Sequence, residues 1–345
     1  MAKKVVTFGE IMMRLAPSEF LRFGQTRCFE VTYGGGEANV AVSLAHFGLP
    51  VEYVSRLPEN DLADACLQYL RQYGVGVAHI ARGGRRMGIY FLEKGAAQRA
   101  SKVIYDRDDS SFAAIKAGMI DWPAIFAAAG WFHWTGITPA ISPGAAEACG
   151  EAIRIAKEMN LIVSCDLNYR KTLWKYGKNT GEVMPGLVAQ CDVAIGNEED
   201  AAKIFGIKAP GVNVTSGRIQ AEQYQFVCEE LSRRFPNLKM IAITLRGSLS
   251  ASRNTWSAVA WRDGHFLTAP SFDIDPVVDR VGGGDAFAAG LIFGLMKDPE
   301  NPQWALEFAV AASCLKHSIA GDFNLASTAE VEQLMSGDAS GRISR

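Results

Sequence analysis

The sequence predicts an α/β protein with a doubly wound, mainly parallel sheet, helices on both faces and a small β-sheet lid. Three observations predict it. From about residue 131 onward, short apolar runs of strand length alternate with segments of helical period. The glycine triplets at 34–36 and 282–284 each run straight into an apolar, helix-period segment. Residues 85–107 break the alternation with short β-type runs separated by glycine and charge.

The elements follow in order. Lys4 to Phe8 is an apolar run of strand length that stops at Gly9-Glu10. Residues 12–33 are irregular, with scattered β-formers, and Gly34-Gly35-Gly36 opens a helix through Phe47. Val51 to Ser55 reads as a strand and Asp61 to Tyr73 as a helix with Asp61 near its cap. Ile89 to Leu92 and Val103 to Tyr105 are the β-type runs of the small sheet. Strands are predicted at 131–134, 161–166, 192–196 and 240–245, and helices at 144–158, 198–205 and 221–235. Ser257 to Trp261 and His265 to Ala269, around Asp263-Gly264, read as a hairpin. Helices at about 285–296 and 303–317 close the pattern. The expected organisation is one domain over 1–335, with a lid from about 12–33 and 85–107, and a flexible tail at 336–345. In open parallel sheets ligands bind beyond the carboxyl ends of the strands, and a lid there shuts out water.

Composition narrows the function. The 345 residues are 48% hydrophobic and 21% charged with a net charge of −2, so nothing points to nucleic acid or an anionic membrane as a partner. A small anionic ligand must therefore be met by local basic residues. The seven cysteines are odd in number and form no C-x-x-C pair, which supports neither a disulfide framework nor a zinc site. They fit buried reduced thiols in a cytoplasmic protein. The basic start, MAKKVVTFGE, is interrupted by Glu10 and is no signal peptide. The longest apolar stretches, Ala286 to Met296 and Ala124 to Phe132, fall short of the roughly 18 residues a membrane span needs. Asn213-Val214-Thr215 matches a glycosylation acceptor, which means little without a secretion signal.

Asp279-Arg280-Val281-Gly282-Gly283-Gly284-Asp285-Ala286-Phe287-Ala288-Ala289-Gly290 carries the strongest chemistry. Three glycines leave a bare backbone whose N–H groups can converge on an anion at a positive helix end. Asp285 sits in the first turn, placed to accept a proton from a hydroxyl attacking a phosphoryl group. On spacing alone, a plain glycine turn capped by a helix-starting Asp is an equal reading.

This segment resembles the D-x-x-G-A-G-D-x-F-x-x-G signature of the PfkB (ribokinase-like) carbohydrate kinases, matching Asp279, Gly282, Gly284, Asp285, Phe287 and Gly290, with Gly283 at the usual alanine. The resemblance spans nearly the whole chain. It implies a ribokinase-like fold, with the amides of Gly282, Gly283 and Gly284 as the anion hole and Asp285 as the base.

Gly34-Gly35-Gly36-Glu37-Ala38-Asn39 is not a dinucleotide fingerprint, because Asn39 stands at the third glycine position. No G-x-x-x-x-G-K-[ST] occurs either. The segment is similar to the family's N-terminal motif, which implies that Gly34 and Gly35 let a sugar approach the backbone and that Asn39 binds hydroxyls. Asp166-Leu167-Asn168-Tyr169-Arg170 puts Asp, Asn and Arg on one side of the chain at a strand's carboxyl end, which suggests a ligand site. We expect Asn168 and Arg170 to meet ATP. Asn197-Glu198-Glu199-Asp200 resembles the family's N-x-x-E, which helps position Mg²⁺ and phosphate largely through water; either Glu199 or Asp200 could serve. Thr244, Arg246, Gly247 and Ser248 stand in the loop that contacts ATP in the family, with Leu245 and Ser250 departing from its usual residues. ATP and Mg²⁺ are thus the implied cofactors.

The substrate is legible in the basic residues. Arg107 on the lid and Arg170 at the mouth suit a carboxylate held by paired hydrogen bonds, so a sugar acid is expected. Gly34–Val42, Gly136–Ala140 and Asp166–Trp174 resemble 2-keto-3-deoxygluconate kinases, which implies substrate contacts from Gly35, Tyr90, Tyr105, Arg107, Arg170, Asp285 and Asp322. Tyrosine favours strands anyway, so for Tyr90 and Tyr105, each taken alone, ordinary packing is the better explanation. The galactonate epimer, another deoxy sugar acid, fructose, and a catalytically silent sugar or nucleotide sensor stay open as alternatives. The lid's edges are surfaces a second copy could cover, so a homo-oligomer is expected.

Overall fold

A computed structural model describes residues 3–197, 199–208 and 221–337. Asn213-Val214-Thr215 and the tail beyond residue 337 lie outside the described residues. The strands are β1 (Lys4–Phe8), β2 (Met12–Ala16), β3 (Glu30–Gly34), β4 (Val51–Val54), β5 (Arg56–Leu57), β6 (Ala81–Arg82), β7 (Gly88–Glu93), β8 (Lys102–Asp106), β9 (Ala129–Thr135), β10 (Ile162–Asp166), β11 (Val193–Asn197), β12 (Met240–Ser248), β13 (Asn254–Arg262), β14 (His265–Thr268) and β15 (Phe272–Ile274). The helices are α1 (Gly36–His46), α2 (Asp61–Gln72), α3 (Trp122–Phe126), α4 (Ile137–Ile141), α5 (Pro143–Glu158), α6 (Thr180–Val188), α7 (Asp200–Phe205), α8 (Gln225–Arg234), α9 (Gly283–Lys297), α10 (Pro302–Lys316) and α11 (Thr328–Met335).

The large sheet runs β14-β13-β12-β11-β10-β9-β1-β4, with β15 also paired to β13. The six strands from β12 to β4 are parallel, and β13 and then β14 extend that end of the sheet antiparallel. Neighbouring residues on one strand enter different cores, as a period of two requires. Val5, Trp131 and Ala242 join the core beneath α1, α9 and α10, whereas Val6, Phe132 and Ile241 join the core beneath α5 and α8. Both faces are therefore buried, which is why these strands read as unbroken apolar runs.

The expected hairpin forms as β13 and β14, with Arg262 opposite His265 and Asp263 and Gly264 both at positive φ. The small sheet is four-stranded, in the order β3-β2-β7-β8. Residues 12–33, irregular by sequence, supply β2 and β3. Several expectations need correction. Asn60, not Asp61, caps α2, its side chain accepting from the Ala63 amide. The helices α3, α4, α6 and α11 were not apparent, being short or lacking a clear apolar period. The helix expected over 221–235 is regular only from Gln225 to Arg234, after a 3₁₀ turn at 221–224. Most consequential for the site, β12 runs to Ser248, because β13 pairs with it over nine residues, from Met240 opposite Arg262 to Ser248 opposite Asn254.

Candidate active site

One cavity of about 330 Å³ opens over the carboxyl ends of β1, β9, β10, β11 and β12 and beneath the small sheet. Its walls bring together Gly34, Gly35, Asn39, Tyr90, Tyr105, Arg107, Asn168, Arg170, Asn197, Asp200, Thr244, Arg246, Gly282, Gly283, Gly284, Asp285 and Asp322, all named by the sequence. Three candidates fall outside it. Gly247 and Ser248 sit in the β12–β13 ladder opposite Thr255 and Asn254, because the strand continues where a loop was expected. Glu199 is exposed and points no carboxylate into the wall, so Asp200 is the acidic group of that segment within the cavity.

The glycine turn is built by backbone geometry. Gly282 caps α9 at φ 85°, and a Cβ there would lie 1.9 Å from the Asp322 carbonyl oxygen, so only glycine fits. The first amides of a helix have no intrahelical partner. Among the described residues, the Gly284 and Asp285 amides make no protein hydrogen bond, whereas the Gly283 amide leans on the Arg280 carbonyl at 3.3 Å. The Gly282 amide likewise makes no protein hydrogen bond among the described residues, so the donors of Gly282, Gly284 and Asp285 are open to an anion at a positive helix end.

Asp285 stands in that first turn and forms no ion pair within contact distance among the described residues. Its Oδ2 accepts from Asn39 Nδ2 at 2.7 Å, and the Asn39 Oδ1 accepts in turn from the Gly35 amide at 3.2 Å. The two glycine motifs are therefore joined through this side-chain pair. Loss of water raises the Asp285 carboxyl from 3.8 to about 6, opposed by the Asn39 hydrogen bond and the field of Arg170. Such a group is ionised at neutral pH yet basic enough to take a proton.

Asp166 and Asp200 lie nearby and are buried. Burial and the mutual repulsion of Asp166, Asp200 and Asp285 hold the Asp166 carboxyl well above its usual range, and burial pushes Asp200 to about 6. Asp200 accepts from the Asn197 amide at 2.8 Å and the Tyr169 amide at 3.1 Å, while Asn197 Oδ1 accepts from the Glu199 and Asp200 amides at the start of α7. Among the described residues the Arg170 guanidinium forms no ion pair, but its field stabilises all three carboxylates. Asn168 is held at φ 39°, a conformation Asn tolerates.

Four residues that matter here were not assigned site roles from the sequence. Glu10 accepts from Arg107 Nε at 2.9 Å and from its Nη2, so the lid arginine is anchored to β1's carboxyl end. Arg14, on β2, bridges Asp279 at 2.5 Å and Asp322 at 2.6 Å, fully buried. Asp322 is thus engaged on one oxygen by Arg14 and on the other by the Tyr90 hydroxyl, which donates to it. Both line the cavity with their polar groups already partnered. Glu37 accepts from the Thr135 amide and from the hydroxyls of Thr135 and Thr138, fixing α1 to the end of β9. Arg280 donates to the Ala251 carbonyl at 2.9 Å, and burial beside Arg246 lowers its pKa. Two cations thus flank the glycine turn. Glu10 and Glu37 had a signal, a charged residue directly after a strand or within a glycine motif, but their partners lie about a hundred residues away.

Residues 2–324 match the model of the pfkB family carbohydrate kinases. The chain belongs to this family. It is a sugar kinase by that membership, and the relatives sharpen the kinship. It is 30% identical over 341 residues to the 2-dehydro-3-deoxygalactonokinase of Haloferax volcanii, covering 99% of each chain. It is 26% identical to the 2-dehydro-3-deoxygluconokinase of Thermoproteus tenax, over 96% of this chain and 94% of that one. The crystal structure of 2-dehydro-3-deoxygluconokinase from Thermotoga maritima superposes with a TM-score of 0.92 at 46% identity, over 97% of this chain and all of the other. The ribokinase-like fold expected from the glycine motifs is the fold of this pfkB kinase.

Proposed function

We propose that this kinase transfers the γ-phosphoryl group of ATP to the terminal hydroxyl of 2-keto-3-deoxygluconate. The observation that carries the reading is the convergence of Asp285, the open amides of its turn and Arg170 on one cavity walled by the lid. Asp285 accepts the hydroxyl proton as the oxygen bonds to the γ-phosphorus. The bond from that phosphorus to the β–γ bridging oxygen breaks, and ADP leaves with the electron pair. The Gly284 and Asp285 amides, with the positive end of α9, stabilise the charge on the transferring group. Arg246 and Arg280 lie where the other phosphates would run. Asn168, Asn197 and Thr244 complete the nucleotide side.

Arg107 and the tyrosines form the sugar side. Two of Arg107's donors go to Glu10, and the residue lines the cavity, so its remaining N–H groups are the ones we assign to the acid's carboxylate. Arg170 serves between the acid and the phosphates.

Mg²⁺ fits the acidic side of the cavity in a limited sense. Asp166 and Asp200 are crowded, buried carboxylates. Among the described residues, however, no group of His, Cys, Asp or Glu is arranged to hold a metal alone. That suits an ion bound chiefly by water and phosphate oxygens, which Mg²⁺ prefers. When bound it would neutralise phosphate charge, held near Asp200 and Asp166.

A second copy of the chain is the partner we place on the lid. Phe29, Val31, Val103 and Ile104 are exposed apolar residues on or beside the edge strands β3 and β8, which leave their ladders open. Light scattering of the Ile104→Asp variant should give half the wild-type mass; equal masses remove the lid from the interface. All seven cysteines are free and five are buried, which suits a cytoplasmic enzyme. No described helix is long and apolar enough to cross a membrane.

The deciding assay offers ATP with 2-keto-3-deoxygluconate, its galactonate epimer, other deoxy sugar acids and fructose. The 30% identity to a galactonate-type kinase makes the epimer the second reading. Turnover only with fructose, or none with any acceptor, overturns the sugar-acid assignment. Asp285→Asn should lower kcat by about 10²–10⁴-fold. A variant with full turnover removes Asp285 from the role.

A further inference from the structure

Lysine is almost never fully buried unless it is paired, and near a helix C-terminus its long stem normally carries the ammonium to water. Lys316, the last residue of α10, is wholly inaccessible. Its Nζ donates to the carbonyl oxygens of Ile319 at 3.1 Å and Asp279 at 3.3 Å. The first belongs to the loop that leads to Asp322, the second to the start of the glycine turn. A Cβ built on Gly282 would lie 3.2 Å from Lys316 Cε, so the stem runs directly behind the anion-binding turn.

The charges around it are arranged as a closed group. Asp279 and Asp322 raise the Lys316 pKa and Arg14 lowers it; burial dominates and brings the ammonium down to about 8, still protonated at neutral pH. Arg14 and Lys316 thus balance Asp279 and Asp322, and the field of Lys316 also reaches Asp285. Placing a cation here costs desolvation that a buried aliphatic chain would avoid. Helix capping alone does not require it, because water or a backbone amide satisfies terminal carbonyls at less cost.

We infer that Lys316 is a positioning residue whose ammonium serves as a built-in monovalent cation, tying the Asp279 and Ile319 carbonyls together so that the Gly282–Asp285 turn is held in its phosphoryl-binding form. The inference rests on the phosphoryl-transfer reading of that turn. Lys316 touches neither substrate; it acts through the backbone of residues 279–285. A free cation small enough to take the place of the ammonium has the same two carbonyls to bind once the side chain is shortened.

The test uses Lys316→Met and Lys316→Gln in the full chain, with cooperative melting as the check on folding. Assays run in tetramethylammonium chloride, a cation too large for the site, at constant ionic strength. We expect kcat to fall by about 10²-fold, the scale of losing one anion-hole contact, with KM for ATP and for the sugar acid within about 3-fold of wild type. Ammonium or potassium chloride should then restore kcat by at least about 10-fold in the variants and leave the wild type unchanged. Variants with near wild-type kcat overturn the inference. So does a loss that ammonium and potassium fail to relieve, which would mark Lys316 as merely structural. Should neither variant fold, the wild type decides: dependence on added potassium overturns it, since a site filled by Lys316 leaves no place for a free ion. Asp285→Asn, inactive in every salt, keeps the phosphoryl-transfer reading separately testable.

Discussion

Asn39 Nδ2 donates to Asp285 Oδ2 at 2.7 Å, joining side chains 246 positions apart in the chain. One end of this contact is the glycine turn before α1, the other the glycine turn before α9. The bond favours the charged form of a carboxyl that burial is driving toward neutrality. It therefore fixes the direction of the Asp285 carboxyl and opposes the rise in its pKa that burial causes.

That relationship predicts a pH effect. Asp285 works as a base only when ionised, so kcat/KM should fall as pH drops through about 6. Asn39→Leu removes a contact worth about 1 kcal/mol, equivalent to roughly 0.7 of a pKa unit, and the acid limb should move to higher pH by that amount. A limb that stays in place, or moves to lower pH, separates Asn39 from the ionisation of Asp285.

The same carboxyl makes a stability prediction of opposite sense to that of a paired acid. Its folded pKa is raised from 3.8 to about 6, so ionisation burdens the native state as pH rises through that window. Below about pH 4 both states are protonated and the burden vanishes. Asp285→Asn should thus be more stable than wild type by about 1–3 kcal/mol above pH 6, reduced from the full shift for partial solvent contact, and little different at about pH 4. Urea midpoints across this range measure it, and a variant less stable at every pH contradicts the raised pKa.

On the proposed assignment, Arg107 should separate acid from neutral substrates. Arg107→Ala should raise KM for the sugar acid by about 10–100-fold, the loss of one charge-assisted hydrogen bond, with little change for any neutral sugar turned over. The variant also leaves buried Glu10 without its cation, with only the Ser110 hydroxyl, among the described residues, donating to it, so its melting temperature should fall. Equal losses of kcat/KM for acid and neutral acceptors would show Arg107 to be a strut for Glu10 alone.

Arg14 is the buried connection from β2 of the small sheet to the segments before α9 and after α10. Arg14→Met strands Asp279 and Asp322 without their cation and should cost about 3–5 kcal/mol in unfolding free energy. The Tyr90 hydroxyl would lose its fixed acceptor geometry, so KM for the acid should rise as well. Chemical denaturation followed by tryptophan fluorescence reads the first effect. A cost below about 1 kcal/mol would show that the buried aspartates do not depend on Arg14 for their balance.

Much of this protein was determined by local pattern. The alternation of apolar strands and helical segments comes from burying both sheet faces, as Val5 and Val6 do on opposite sides. The glycine turn, Asp285, and the Asp166–Arg170 and Asn197–Asp200 segments are short stretches whose chemistry is complete within a few residues, so they could be read before any fold was known. The hairpin at Asp263-Gly264 is equally local.

Only the tertiary structure decided which charges are already spent. Arg107 is bound to Glu10, Arg14 to two aspartates 265 and 308 positions away, and Tyr90 to Asp322. The length of β12, and with it the exclusion of Gly247 and Ser248 from the cavity, depends on pairing with β13. Lys316 is an ordinary helix-end lysine by sequence and a buried cation in the fold. The physical reason is common to all of them. A periodic pattern reports the face a residue occupies, but Coulomb energy depends on distance and local water, which only the packed chain defines.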